Sequence, residues 1–185
     1  MKRALVSVVA VLLCLVLAAC TQSQIINSID VALTAASVAL PIVASAVGLP
    51  PVVVAEIVTW IQSALKGLSA VTDDLLTGGP AGTVAAKITA DLSGVVAATP
   101  NLQGLPVAIA SVVQALATDV QSILTTYGTQ TIQMSADKLL IGVPPTLGKG
   151  EVHFGTHDRQ RLIALRAKAL GLLADSDVRL QMLKK

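Results

Sequence analysis

VAEIVTWIQSALKGLSAVTDDL, residues 54–75, sets the class of the fold. Val54, Ile57, Ile61, Ala64, Leu68, Val71 and Leu75 recur at alternating steps of three and four, while Glu56, Thr59, Gln62, Ser63 and Lys66 fall on other faces. That spacing places one apolar stripe along an α-helix. Three more stripes share the period: Ile29, Ala36, Leu40, Val43 and Val47 before it, then Val84, Ile88, Leu92 and Val95, then Val113, Leu116, Val120, Ile123 and Tyr127. Gln114, Thr118 and Gln121 lie away from the last of these.

The interruptions between stripes are short. Gly48-Leu49-Pro50-Pro51 ends the first helix and starts the second, Gly78-Gly79-Pro80 closes the second, and Pro100 with Gly104-Leu105-Pro106 separates the third from the fourth. Proline blocks helix propagation but is accepted in a first turn, and glycine closes a helix C-terminus. Connections this short make sequential helices antiparallel, so the expected fold is all-α, an up-down four-helix bundle over 25–128.

The two halves of that bundle resemble each other. A shift of 59 residues superposes Ile29 on Ile88, Leu33 on Leu92, Ala39 on Ala98 and Pro41 on Pro100. It also superposes Val53-Val54 on Val112-Val113, Thr59 on Thr118, Gln62-Ser63 on Gln121-Ser122 and Leu65 on Leu124. Ten identities in 37 positions exceed the roughly three or four expected of so Ala/Val-rich a composition. The Gly-Leu-Pro turns are offset by three residues in this alignment. The reading is a duplicated helical hairpin, with hairpins at about 25–77 and 80–128.

The first twenty residues carry a different message. Lys2 and Arg3 precede an uncharged run over 4–17, too short to span a bilayer comfortably but suited to the apolar region of an export signal. Leu17-Ala18-Ala19-Cys20 follows. This tetrad resembles the lipobox of bacterial lipoproteins, an aliphatic residue, two small residues and a cysteine. The resemblance implies lipid transfer to the Cys20 sulfur, removal of 1–19, and acylation of the new amine. Cys14 lies in the segment to be removed, so the mature chain would hold one cysteine and no intramolecular disulfide. Residues 20–24 would then be a short tether. By the same analogy Thr21, where an Asp would commonly mark inner-membrane retention, is compatible with the periplasmic face of the outer membrane in a Gram-negative host.

Composition narrows the function classes. Apolar residues make up 54% of the chain and aromatics only 2%, namely Trp60, Tyr127 and Phe154. Ala, Val, Leu and Ile must therefore build the interior, and Trp60 reads as a core anchor. So few aromatic faces speak against stacking on sugars or nucleobases, and no nucleic-acid partner is expected. Residues 21–148 hold seven acidic and three basic residues, net −4, whereas residues 149–185 hold eight basic and four acidic, net +4. The chain has an acidic body and a basic tail.

After Tyr127-Gly128 the helical period fades, and residues 129–156 are expected to be an irregular linker, loosely extended near 129–134 with Pro/Gly loops beyond. Thr156 is placed to cap a last helix over 157–185. Leu162, Leu165, Ala169 and Leu172 form its stripe, Ile163, Leu170 and Leu173 widen it, and a short final turn follows from about Asp177. Its Arg159, Arg161, Arg166 and Lys168 suit three targets: the acidic body of the chain itself, anionic lipid, or an envelope protein.

Reaction chemistry is sparse. His153 and His157, with Glu151 and Asp158, are the only candidates for a metal site, and Phe154-Gly155-Thr156 between them opposes one helical face. Gly148-Lys149-Gly150 lacks phosphate-loop spacing, and no Ser-His-acid arrangement is indicated. No cofactor and no enzymatic activity are expected. The terminal Lys185 is similar to the wall-linked lysine of murein-type lipoproteins, whose single long heptad helix this Pro-broken chain does not share. Residues 31–55 run without a charge, long enough to cross a membrane, although Pro41, Pro50 and Pro51 interrupt them. Two functions follow as expectations: a lipid-anchored, non-enzymatic structural or interaction module, or a membrane-active helical protein whose hairpins insert or oligomerise, as in pores or lysis proteins.

Overall fold

A computed structural model describes residues 24–46, 48–140, 151–152 and 154–183, with side chains left undescribed at 81, 128–140, 151 and 183. The chain is all-α. Helix α1 is helical over Gln24–Ala44; α2 spans Pro51–Thr77, α3 Ala81–Ala97, α4 Val107–Leu140 and α5 Thr156–Leu183. Two-residue strands β1 (Gly79–Pro80) and β2 (Glu151–Val152) pair antiparallel, Gly79 opposite Val152 and Pro80 opposite Glu151.

The helix ends obey local chemistry. Pro51 sits in the first turn of α2, where its missing N–H leaves no bond unmade. Gly78 takes φ +69 and donates its N–H to the Asp74 carbonyl. A Cβ there would also stand 2.9 Å from the Val152 carbonyl oxygen, so the turn and the β1–β2 pairing both require glycine. Between α3 and α4 the Asn101 side-chain oxygen accepts the Gln103 N–H at 3.0 Å, an Asx turn. The Pro106 carbonyl then opens α4 by accepting Ile109 and Ala110 N–H groups.

Every stripe residue read from the sequence in α1 to α4, Val47 aside as it lies outside the described residues, is buried in one continuous core. The helices alternate in direction. Trp60 of α2 bonds Val95 of α3 while Asp74 of α2 bonds Lys87 of α3, so these two run antiparallel. Gln24 and Val31 of α1 share a cleft with Asp119 and Tyr127 of α4, so α1 and α4 are neighbours, and the short connections between successive helices give them opposite directions. At the α2–α3 contact, a Cβ on Gly67 would lie 2.9 Å from Leu92 Cδ2 and 3.1 Å from the Asp91 carbonyl oxygen. Glycine lets the two backbones approach there.

The duplicated hairpin is legible in burial. Ile29 and Ile88, Leu33 and Leu92, Val54 and Val113, Ile57 and Leu116, Ile61 and Val120 are all buried in the same register, 59 residues apart.

Three expectations need correction. First, residues 129–140 are helical, not linker: α4 continues to Leu140. One glycine, Gly128, costs a helix only about 1 kcal/mol, and no proline follows until Pro144. Second, part of the remaining segment pairs with β1 rather than being wholly irregular. Third, α5 is one helix to Leu183, without a separate final turn, and Thr156 is its first residue; the Gly155 carbonyl accepts the Arg159 N–H in the opening turn.

Helix α5 joins the bundle as a fifth member. Leu162, Leu165 and Ala169 are buried in the common core, with Leu172 and Leu173 packed at its edge. Arg161 and Lys168 reach Asn27 and Asp30 of α1, while Arg166 and Asp177 reach Asp73 and Gln62 of α2. It therefore lies over the α1–α2 hairpin, parallel to α1 and antiparallel to α2.

Candidate functional site

The N-terminal end of α1, the C-terminal end of α2, the β1–β2 pair and the start of α5 meet at one end of the bundle. Cys20 lies four residues before Gln24, outside the described residues. His153 and Lys185 also lie outside them. His157 sits in the first turn of α5 with its side chain 85% exposed, and its Nδ1 is 3.8 Å from an oxygen of the adjacent Asp158. Among the described residues no three His, Cys, Asp or Glu side chains gather to hold a metal ion.

Three of the four basic residues singled out on the last helix are turned onto the acidic body. Arg161 donates to Asn27 Oδ1 at 2.7 Å, Arg166 stands 3.1 Å from Asp73, and Lys168 bonds both Asp30 at 2.9 Å and Thr34 at 3.0 Å. Arg159 is exposed. A less obvious polar contact lies beneath the helix: Gln62 Nε2 donates to Asp177 Oδ1 at 2.7 Å. Gln62 falls off the apolar stripe of α2 and would face solvent in a four-helix bundle; the fifth helix buries it.

A cleft of about 360 Å³ opens between α1 and α4 near the N-terminal end of α1, lined by Gln24, Asn27, Ser28, Val31, Asp119, Ser122, Thr126 and Tyr127. Partial burial raises the Asp119 carboxyl above the usual carboxylate range, and burial pushes the Tyr127 hydroxyl up to about 12. The sequence held a signal for this place. In the 59-residue alignment Asp119 falls on Trp60. The Trp60 indole fills the α2–α3 contact and donates Nε1–H to the Val95 carbonyl at 3.0 Å; at the equivalent α4–α1 contact a carboxylate stands instead and a cleft remains. The cleft offers one carboxylate, a phenol and hydroxyls, with no histidine to act as base toward Ser122.

Comparison with protein-family models, curated proteins and solved structures finds no match to this chain. Three helices are long and apolar enough to cross a membrane: Gln24–Ala44, Pro51–Thr77 and, within α4, Val107–Tyr127. Such length and hydropathy are compatible with membrane association.

Proposed function

We propose that the chain is a membrane-anchored envelope lipoprotein, held by lipid on Cys20, whose helical bundle is a non-enzymatic structural or interaction module. The observation that carries this reading is the tetrad Leu17-Ala18-Ala19-Cys20 at the end of a short apolar run, with a bundle helix already under way at Gln24. A tether of a few residues holds the anchor end of the bundle against the bilayer surface. Two acyl chains suffice for such an anchor, since each buried methylene contributes about 0.8 kcal/mol. The α1–α4 cleft would open close to that surface. The acidic body neutralises most of the basic face of α5, which favours a protein or wall component over an anionic lipid surface as the bundle's partner.

The intact mass of the membrane-extracted protein tests the anchor. A species beginning at acylated Cys20, replaced by lipidated precursor when lipoprotein signal peptidase is inhibited, is expected. An unlipidated product would defeat the reading.

A second reading is a membrane-active protein whose hairpins insert, and the three apolar helices favour it. Against it, most large apolar residues of α1 and α2 point into a shared core, and exposed positions carry Thr34, Glu56, Thr59, Ser63 and Lys66 beside Val31, Val38 and Val52. Alkaline carbonate extraction of the Cys20→Ser mature domain, residues 20–185 without lipid, separates the two. Release into the supernatant supports the anchored module; retention in the membrane pellet supports insertion.

A further inference from the structure

The outward face of α5 has no cover within the chain. Ile163, Leu170, Val178 and Met182 are 56%, 51%, 49% and 69% exposed, half of the large hydrophobic residues exposed on the described surface. Their spacing puts them on one side of the helix, opposite Leu162, Leu165 and Ala169, which already dock it on the bundle. Ala167 and Ala174 lie exposed between them. By spacing alone Ile163 and Leu170 widen the apolar stripe of the helix, but one stripe suffices for docking and these residues are left outside.

The charges flanking this face identify what covers it. On the α2 side Arg166 is followed by Asp177, and on the α1 side Lys168 is followed by Asp175. Each flank is basic in its first half and carries an aspartate in its second, with Arg179 bonded to Asp175 on the α1 side, and both pairs are symmetric about residues 171–172. When two identical helices pack antiparallel about a two-fold axis, like flanks face each other. Arg166 then meets Asp177 of the second copy, and Lys168 meets its Asp175, on both sides at once. A parallel pairing brings Arg166 against Lys168 and Asp175 against Asp177, which like-charge repulsion opposes.

Capacity for these contacts remains. The side chains of Arg166, Lys168 and Asp175 are 45%, 37% and 48% exposed despite their bonds within the chain, and a guanidinium or carboxylate serves more than one partner. Gly171 marks the crossing point. An exposed mid-helix glycine costs about 1 kcal/mol relative to alanine, and a Cβ there would meet nothing within 4 Å in the chain. A second backbone approaching there would meet no side chain.

We propose that the outer face of α5 pairs with the same face of a second copy of this chain, antiparallel, about a two-fold axis near Gly171. This adds a partner to the module proposed above and does not rest on the lipid anchor. The test uses the full chain in mild detergent, by sedimentation equilibrium and zero-length carbodiimide cross-linking. The wild type is expected to be dimeric and to yield a Lys168–Asp175 cross-linked peptide. Within one helix those residues are about 10 Å apart along the axis, so that product arises between copies. Leu170→Glu, and independently Val178→Glu, are expected to weaken the dimer more than about tenfold with helicity by circular dichroism unchanged. A monomer at all concentrations overturns the proposal. So does a dimer indifferent to both variants, or a monomeric chain whose binding to lipid vesicles disappears with Leu170→Glu.

Discussion

Trp60, Gly67 and Asp119 show how much single residues decide here. The Trp60 indole donates to Val95 O, a carbonyl in the last turn of α3 that no later helical N–H can satisfy. Trp60→Phe keeps most of the packing and removes that bond, so urea unfolding is expected to report a loss of about 1–2 kcal/mol; no change would mean that solvent replaces the indole. Gly67 is defined by what surrounds it. Gly67→Val drives a branched side chain into Leu92 and the Asp91 carbonyl, and a destabilisation of about 1–3 kcal/mol is expected. Asp119 works in the opposite direction. Its carboxyl is raised above the ordinary value of 3.8 by burial, so the folded state holds its proton more tightly than the unfolded state does. The corresponding stability is present below pH 3.8 and is lost as pH rises through the raised value. Asp119→Asn is therefore expected to raise the melting temperature at neutral pH, with the gain shrinking toward pH 3.8 and below. A gain independent of pH would show that desolvation of the charge is not the cause.

At the scale of elements, α5 poses the main question: whether its salt bridges or its apolar stripe hold it down. The ion pairs with Asp73 and Asp30 are about half exposed, and such pairs contribute about 0–1 kcal/mol. Leu162 is fully buried, and Leu→Ala at such a site costs about 2–5 kcal/mol. Leu162→Ala should therefore lower stability several times more than Lys168→Met in chemical denaturation. The reverse order would make docking electrostatic, and raised salt would then release the helix. The elements also show where periodicity could be read and where it could not. Residues 54–75 announced their helix because one face meets a core and the other meets water. Residues 129–140 lack that contrast, and their helix survives on residue propensities and the absence of a breaker.

For the whole molecule, the arrangement is a duplicated hairpin made asymmetric by a fifth helix laid on one half only. Leu65 and Gln62 are buried beneath α5, while Leu124 and Gln121, their counterparts 59 residues on, are half-buried and exposed. The same asymmetry leaves the α1–α4 cleft beside Asp119 at the place where the α2–α3 contact is sealed by Trp60. Four stripes of Ala, Val, Leu and Ile, punctuated by Gly and Pro, were enough by themselves to determine an all-α chain of antiparallel hairpins and the identity of most of its core. Burial along a helix follows from local spacing, and local spacing is written in the order of residues. What covers the outer side of a helix depends on segments far away in the chain. Only the tertiary structure brings α5 over α1 and α2, buries Gln62 against Asp177 across 115 positions of sequence, and leaves Ile163 and Leu170 facing outward. Those are long-range pairings, set by which surfaces remain open once the hairpins have closed, and no local period encodes them.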